Sequence, residues 1–300
     1  MAWFKGNTHS HTINSDGDSA PEVVVNWYKS RGYDFLVLSD HNFLTPIDPL
    51  KDLTGSDFLL INGEEISAVF EGHPIHINGL NLSEVVFPQT GASLIDTIQR
   101  NIEAIRKAGG IPHINHPNYK WAFNHEHLMG VTDYKFIEVY NGHPRVNNLG
   151  GGGHPSSEEV WDHLLSAGHQ IYGIASDDAH HLQGEFSRDR ANPGRGWVMV
   201  NTEALSPGMI LEAIEKGDFY ASTGVILKNC AITREEVRVE IEVMGDTKYT
   251  TFFIGYQGEI LKRCVEPIAL YKPRGDERYV RTKVIGSNSE LAWIQPLFLM

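Results

Sequence analysis

Seven short stretches of the chain carry the side chain types that hold divalent cations: His9-Ser10-His11, Ser15-Asp16-Gly17, Asp40-His41, Gly63-Glu64-Glu65, His76, His116-Pro117 and Asp177-Asp178-Ala179-His180. Imidazoles and carboxylates accept Zn²⁺, Mn²⁺ and Fe²⁺ alike, so the set points to a class of ion rather than to one metal. Such ions ionise water near neutral pH and neutralise charge that builds on a phosphoryl or carbonyl oxygen, which is the chemistry of hydrolysis. Taken singly, each stretch has a plain explanation. Ser-Asp-Gly is a common turn, His76 suits an apolar core, Asp40 can simply fix an imidazole, and one of Glu64 and Glu65 can be solvated. Asp178-Ala179-His180 is more telling, because two ligand types fall on one face of an extended segment. The chain has 15 histidines among 300 residues, a surplus over ordinary composition, and their order along the sequence carries the inference.

The elements that must bring these residues together read as alternating strands and helices. Ser19-Ala20-Pro21-Glu22 has the form of a capping box opening a helix that stops at Gly32. Strands are expected at 34–39, 58–62, 74–80, 111–115, 136–140, 170–175 and 196–201. Helices are expected at 93–108, at 156–167, and from Ser206-Pro207 to Gly217. That alternation predicts a parallel sheet or barrel. Nearly every strand delivers a ligand-type residue at or near its carboxyl end, where barrel active sites are built. The strand at 136–140 likewise gives way to Asn141-Gly142-His143. Beyond about residue 225 the texture is strand and turn, which predicts a α/β unit over 1–225 and a small β-rich appendage over 226–300. Gly150–Gly153 reads as a loop, since the Lys-Ser/Thr of a phosphate-cradling motif is missing.

Bulk properties narrow the classes. The net charge is −13, which disfavours a protein that grips a nucleic-acid backbone and makes nucleic acid an unlikely partner. A small anionic molecule, a phosphate ester above all, is the expected substrate. Neither an export signal nor a membrane-length apolar run is present, so a cytoplasmic location is expected. The two cysteines, Cys230 and Cys264, stand far from the ligand-type residues and are read as reduced thiols.

The quoted text resembles the PHP (polymerase and histidinol phosphatase) metallohydrolases: THSHT at 8–12, SDG at 15–17, SDH at 39–41, GEE at 63–65, HINGL at 76–80, NHP at 115–117 and SDDAH at 176–180. The resemblance covers roughly residues 5–220. It implies a distorted (β/α)7 barrel carrying two or three divalent ions such as Zn, Mn or Fe. On this resemblance His9, His11, Glu65 and Asp178 hold one ion; Glu65, His76 and His116 hold a second; Asp16, His41 and His180 hold a third. Glu65 rather than Glu64 is chosen by its spacing from Gly63, and Asp40 is expected to orient a neighbouring imidazole. PGRGWVMV at 193–200, GDFYASTG at 217–224 and the C-terminal text look like the carbaryl-hydrolase-type branch, which appends a β domain.

The expected activity is hydrolysis of a phosphate ester by a metal-activated hydroxide. Hydrolysis of a carboxylic ester or carbamate with the same ions is the alternative, and a non-catalytic metal-binding module the third reading. His143 and His180 are candidate acids for the leaving oxygen. Arg195, with Arg145, is a candidate clamp on an anionic substrate. His125, His127, His154, His169 and His181 are read as loop or surface residues.

Overall fold

The computed structural model describes residues 1–299. In chain order the first part comprises β1 (Ala2–Asn7), α1 (Pro21–Lys29), β2 (Phe35–Leu38), β3 (Leu59–Phe70), β4 (His73–Leu80), α2 (Leu94–Lys107) and β5 (Ile111–Ile114). There follow the single-turn α3 (His125–Leu128), β6 (Phe136–Asn141), α4 (Ser157–Ser166), β7 (Tyr172–Ser176), β8 (Trp197–Thr202) and α5 (Pro207–Lys216). The rest is strand and turn: β9 (Phe219–Ser222), β10 (Leu227–Ile232), β11 (Val237–Ile241), β12 (Tyr249–Ile254), β13 (Ile260–Cys264), β14 (Ile268–Tyr271), β15 (Tyr279–Gly286) and β16 (Leu291–Phe298).

Local sequence explains most of these boundaries. Every residue of β2 and β5 is buried, as expected of short apolar strands covered on both faces. In α2 the buried positions Ile98, Ile102 and Ile105 recur at helical spacing, and the Ser93 hydroxyl accepts from the Asp96 N–H as its N-cap. Ser156 and Glu159 form the capping box of α4. Gly217, at φ 81°, closes α5 in the left-handed conformation that favours glycine. The expected cap of α1 is corrected: Ala20 holds the N-cap position, and Ser19 donates instead to Asp18 Oδ1 at 2.8 Å. Pro21 already removes one of the N–H groups that a cap would satisfy.

The fold is mixed α/β, with a 13-stranded sheet in the order β13-β12-β15-β16-β9-β8-β1-β2-β3-β4-β5-β6-β7 and a 3-stranded sheet β10-β11-β14. Pairing is parallel through β1-β2-β3 and β5-β6-β7, but antiparallel for β3-β4 and β4-β5. The sheet is therefore not the purely parallel one that alternation suggests. Within it the β3-β4 hairpin turns at Glu71 and Gly72 with φ 47° and 85°, and β1-β8 and β8-β9 are antiparallel as well. β7, at one end of the sheet, packs back beside β8, β9 and β16, so this part of the sheet curls. The expected division at 225/226 falls between β9 and β10, and the main sheet runs across it through the β9-β16 pairing. Among the described residues no helix is long and apolar enough to cross a membrane.

Candidate metal centre

Backbone pairing sets the centre. Asp178 N–H donates to the His9 carbonyl at 3.1 Å and His11 N–H to the Ala179 carbonyl at 2.9 Å, so the segment after β1 lies alongside the one after β7. Glu65 lies midway along β3, where its N–H donates to the Asp40 carbonyl at 3.1 Å and its carbonyl accepts from Asn42 N–H at 2.9 Å. His41 is thereby fixed next to it. The β3-β4 register puts His76 opposite Ser67. His116 follows β5, and its N–H donates to Glu138 Oε2 at 2.7 Å.

The expected residues converge in three groups. His9 Nε2 lies 3.4 Å from Glu65 Oε2 and 3.2 Å from Asp178 Oδ1, and His11 Nε2 lies 3.3 and 3.2 Å from the same two oxygens. Glu65 Oε1 is 3.1 Å from His76 Nδ1 and 3.4 Å from His116 Nε2. Asp16 Oδ1 is 3.2 Å from His180 Nε2 and 3.7 Å from His41 Nε2. Bonds of about 2.05 Å to one tetrahedral ion would set its ligand atoms about 3.4 Å apart, which matches these edges. The same atoms lack other partners: His9 Nε2, His11 Nε2, His76 Nδ1 and Glu65 Oε2 are buried without a hydrogen bond. Buried polar atoms left in this way are costly unless a cation takes them. The donor set and its orphaned atoms fit divalent metal ions.

Neighbouring groups hold the converging side chains in place. Glu138, which the sequence reading passed over, lies in apolar β6, and its Oε1 is 2.8 Å from His9 Nδ1 while its Oε2 accepts from Asn141 Nδ2 at 2.9 Å. An acidic residue inside the buried run Phe136–Val139 was the available signal. Asp40 does not bind an imidazole as expected; it accepts from Thr12 N–H at 2.7 Å, from the Thr12 and Ser15 hydroxyls at 2.8 Å each, and from Thr45, fixing the loop that carries Asp16. Asp177 accepts from Tyr28 and from the N–H groups of Gly194, Arg195 and Gly196, and so anchors the 193–196 turn. Glu64 is buried rather than solvated and accepts from Val86 N–H at 3.0 Å.

Electrostatic coupling is strong. Burial disfavours charge on Glu65, yet the His41, His9 and His76 imidazoles hold its carboxyl well below the usual range. Asp178 is likewise depressed, chiefly by His9 and His11, against the cost of burial. Burial and the adjacent His180 push His11 down to about 4, whereas Glu65 overcomes burial to raise His41 to about 9.

The remaining candidates lie around a cleft of about 290 Å³ over this cluster, lined in part by Tyr119, His143, Arg145 and His181. His143 Nδ1 accepts from Arg145 N–H at 3.1 Å, and burial pushes its pKa down to about 4. His181, read from the sequence as peripheral, belongs to this wall. Arg195 lies in the adjoining depression, its guanidinium donating to the carbonyls of Gly142 at 2.8 Å and Ser187 at 2.6 Å. His125 stacks on His163 at 4.0 Å, and His127 caps α3.

No protein-family model matches the chain. Over 77 residues, 25% of this chain and 26% of the relative, it is 40% identical to the 5'-3' exoribonuclease Rnm of Escherichia coli K12. Over 81 residues, 27% of this chain and 30% of the relative, it is 36% identical to the 5'-3' exoribonuclease of Haemophilus influenzae. The matched stretch thus spans about a quarter of the length of the Escherichia coli relative. A two-domain protein of Bacteroides vulgatus containing a predicted PHP-like metal-dependent phosphoesterase superposes with a TM-score of 0.55 at 18% identity, covering 94% of this chain and 90% of that one. The chain therefore has a PHP-like fold, and the resemblance read from its motifs is borne out at that level. The exoribonuclease matches overturn the expectation that nucleic acid is an unlikely partner. Net charge averages over the whole surface, whereas the mouth of this cleft carries Arg145, with Arg188 and Arg195 beyond it.

Proposed function

We propose that the chain is a metal-dependent phosphoester hydrolase, with the 5'-phosphorylated end of an RNA strand as its substrate class. The observation that carries this reading is the convergence of His9, His11, Glu65 and Asp178, with His9 Nε2, His11 Nε2 and Glu65 Oε2 otherwise unpartnered. The RNA assignment rests on the exoribonuclease relatives, over the stretch they share with this chain. Three ions of the Zn, Mn or Fe kind are proposed, held by His9, His11, Glu65 and Asp178; by Glu65, His76 and His116; and by Asp16, His41 and His180. Residues 1–225 are proposed as the distorted (β/α)7 barrel that carries the chemistry, and 226–300 as an appended β unit.

When bound, the ions supply an ionised water and positive charge opposite the phosphoryl oxygens. The chain's own residues hold and orient. Glu138 fixes the His9 ring by accepting at Nδ1, which leaves Nε2 free to face the cluster. His143 accepts an N–H at Nδ1, so its neutral ring keeps a hydrogen on Nε2 and can offer a hydrogen bond to a phosphoryl or leaving oxygen, while its lowered pKa works against full proton transfer from it. His180 is better suited to holding an ion, because its Nε2 already faces Asp16 at 3.2 Å. Arg145 lines the same cleft and would bind the anionic end of the substrate.

Protein loaded in turn with Mn²⁺, Zn²⁺ and Fe²⁺ is expected to release product from 5'-phosphorylated oligoribonucleotides and from p-nitrophenyl phosphate. A chelator is expected to abolish both reactions, and metal analysis to give more than one ion per chain. Failure to hydrolyse any phosphoester with all three metals would sink this reading.

A further inference from the structure

Three depressions share walls. The cleft over the cluster shares His143 and Pro144 with a depression of about 550 Å³ that holds Phe186, Arg188 and Arg195. That depression shares Tyr140, Val146 and Asn148 with a third cleft of about 1040 Å³, set between α4 and the faces of β12, β15 and β16. The chemistry changes along the trough. It begins with imidazoles and carboxylates, passes two guanidinium groups, and ends among apolar faces such as Phe252, Ile260 and Leu291.

The far cleft also holds a buried donor with nothing to donate to. Arg281 is 1% exposed; its Nε and Nη2 each donate to Asp162 at 2.6 Å, while Nη1 has no partner. Trp293 Nε1 is likewise buried, with the Glu158 carboxylate beside it, and both residues line the cleft. Buried N–H groups without acceptors are rare because they forfeit their hydrogen bond to water. The Arg281 charge is already met by Asp162 and by Glu158, 2.9 Å from Nη2. The cleft therefore has no net call for an anion; it calls for a neutral, flat acceptor with an apolar face. A nucleobase, with its ring face and exocyclic oxygens or ring nitrogens, has that chemistry.

We propose that the trough is an extended substrate site. The scissile phosphoester lies at the cluster, the following backbone passes Arg188 and Arg195, and a downstream nucleobase enters the cleft between α4 and β12-β15-β16. This rests on the RNA reading above. It gives the C-terminal strands a definite part, that of gripping the strand beyond the bond to be cut, so that longer substrates are held better than short ones.

The test compares a 5'-phosphorylated dinucleotide and hexanucleotide, using the full chain and the variants Phe252→Ala and Ile260→Asp. Ile260 is 57% exposed on β13, which spares the core, and circular dichroism checks the fold of both variants. With metal-loaded protein, wild type is expected to prefer the hexanucleotide by kcat/KM, and each variant to lose about tenfold of that preference. With chelated protein, fluorescence anisotropy of a 3'-labelled hexanucleotide is expected to show the same loss in affinity. A hexanucleotide carrying 4-thiouridine is expected to crosslink to wild-type peptides spanning 252–260 or 281–293. Equal handling of the two lengths, unchanged binding by both variants, or crosslinks confined to other segments overturns the proposal. Absence of hydrolysis together with intact binding and these crosslinks would instead remove the catalytic reading and leave the cleft assignment standing.

Discussion

Glu138 and Glu65 show how differently two buried carboxylates act in one small volume. Glu65 faces the cluster with both oxygens and lies within reach of five imidazoles, so Glu65→Gln is expected to abolish turnover and to lower the bound metal measured after dialysis. Glu138 stands behind His9 and would act through that ring. Glu138→Gln is expected to lower metal affinity or turnover about 10–100-fold, with the protein still folded. Metal titration followed by kcat separates the two residues. An unchanged Glu138→Gln enzyme would mean that the His9 ring needs no such support. The ligand types were legible in the sequence because seven motifs came in order. Glu138 was not, since one acid in an apolar run is equally a sign of a buried hydrogen-bonding core residue. Only its 2.8 Å approach to His9 distinguishes the two.

At the scale of elements, the loop from His11 to Asp18 shows how tightly backbone and chemistry are joined. A Cβ on Gly17 would meet the His11 carbonyl carbon and oxygen at 2.8 Å, and backbone atoms cannot swing aside. Gly17→Ala is therefore expected to displace Asp16 and cost about a hundredfold in kcat, with little change in thermal midpoint. A second element gives a pH signature. In the turn between β14 and β15, Glu277 is held down to about 2: burial works against this, but the Tyr271 hydroxyl and the N–H groups of Arg274 and Gly275 all donate to it. Its folded pKa lies below the unfolded one, so the stability it brings is complete above about 4.5 and is lost as pH falls towards about 2. The melting curves of wild type and Glu277→Gln are expected to differ at neutral pH and to converge across that window. Curves that stay parallel down to the lower limit would sink the assignment. Helix and strand positions were mostly readable from periodicity and caps. The antiparallel β3-β4 hairpin was not, because alternation of strand and helix says nothing about strand direction.

The molecule as a whole is tied together by Arg281, which brings β15 against Asp162 and Glu158 of α4. Removing a partner from such a buried set leaves charge uncompensated, so Arg281→Ala is expected to cost about 3–5 kcal/mol in chemical denaturation. The sequence suggested an appended unit after residue 225 because texture changes there. It could not show that β16 pairs with β9 and carries the main sheet onward, since long-range pairing leaves no local mark. The sequence-distant stitch between the His9 carbonyl and Asp178 N–H has a consequence for the chain's birth. Synthesis runs from the amino end, so the first imidazoles leave the ribosome long before the aspartate that completes their cage. A nascent chain interrupted anywhere before residue 178 would lack the carboxylate that closes the group of His9, His11 and Glu65. Completion of that group thus waits on the segment that follows β7, so a half-made copy cannot assemble the whole centre.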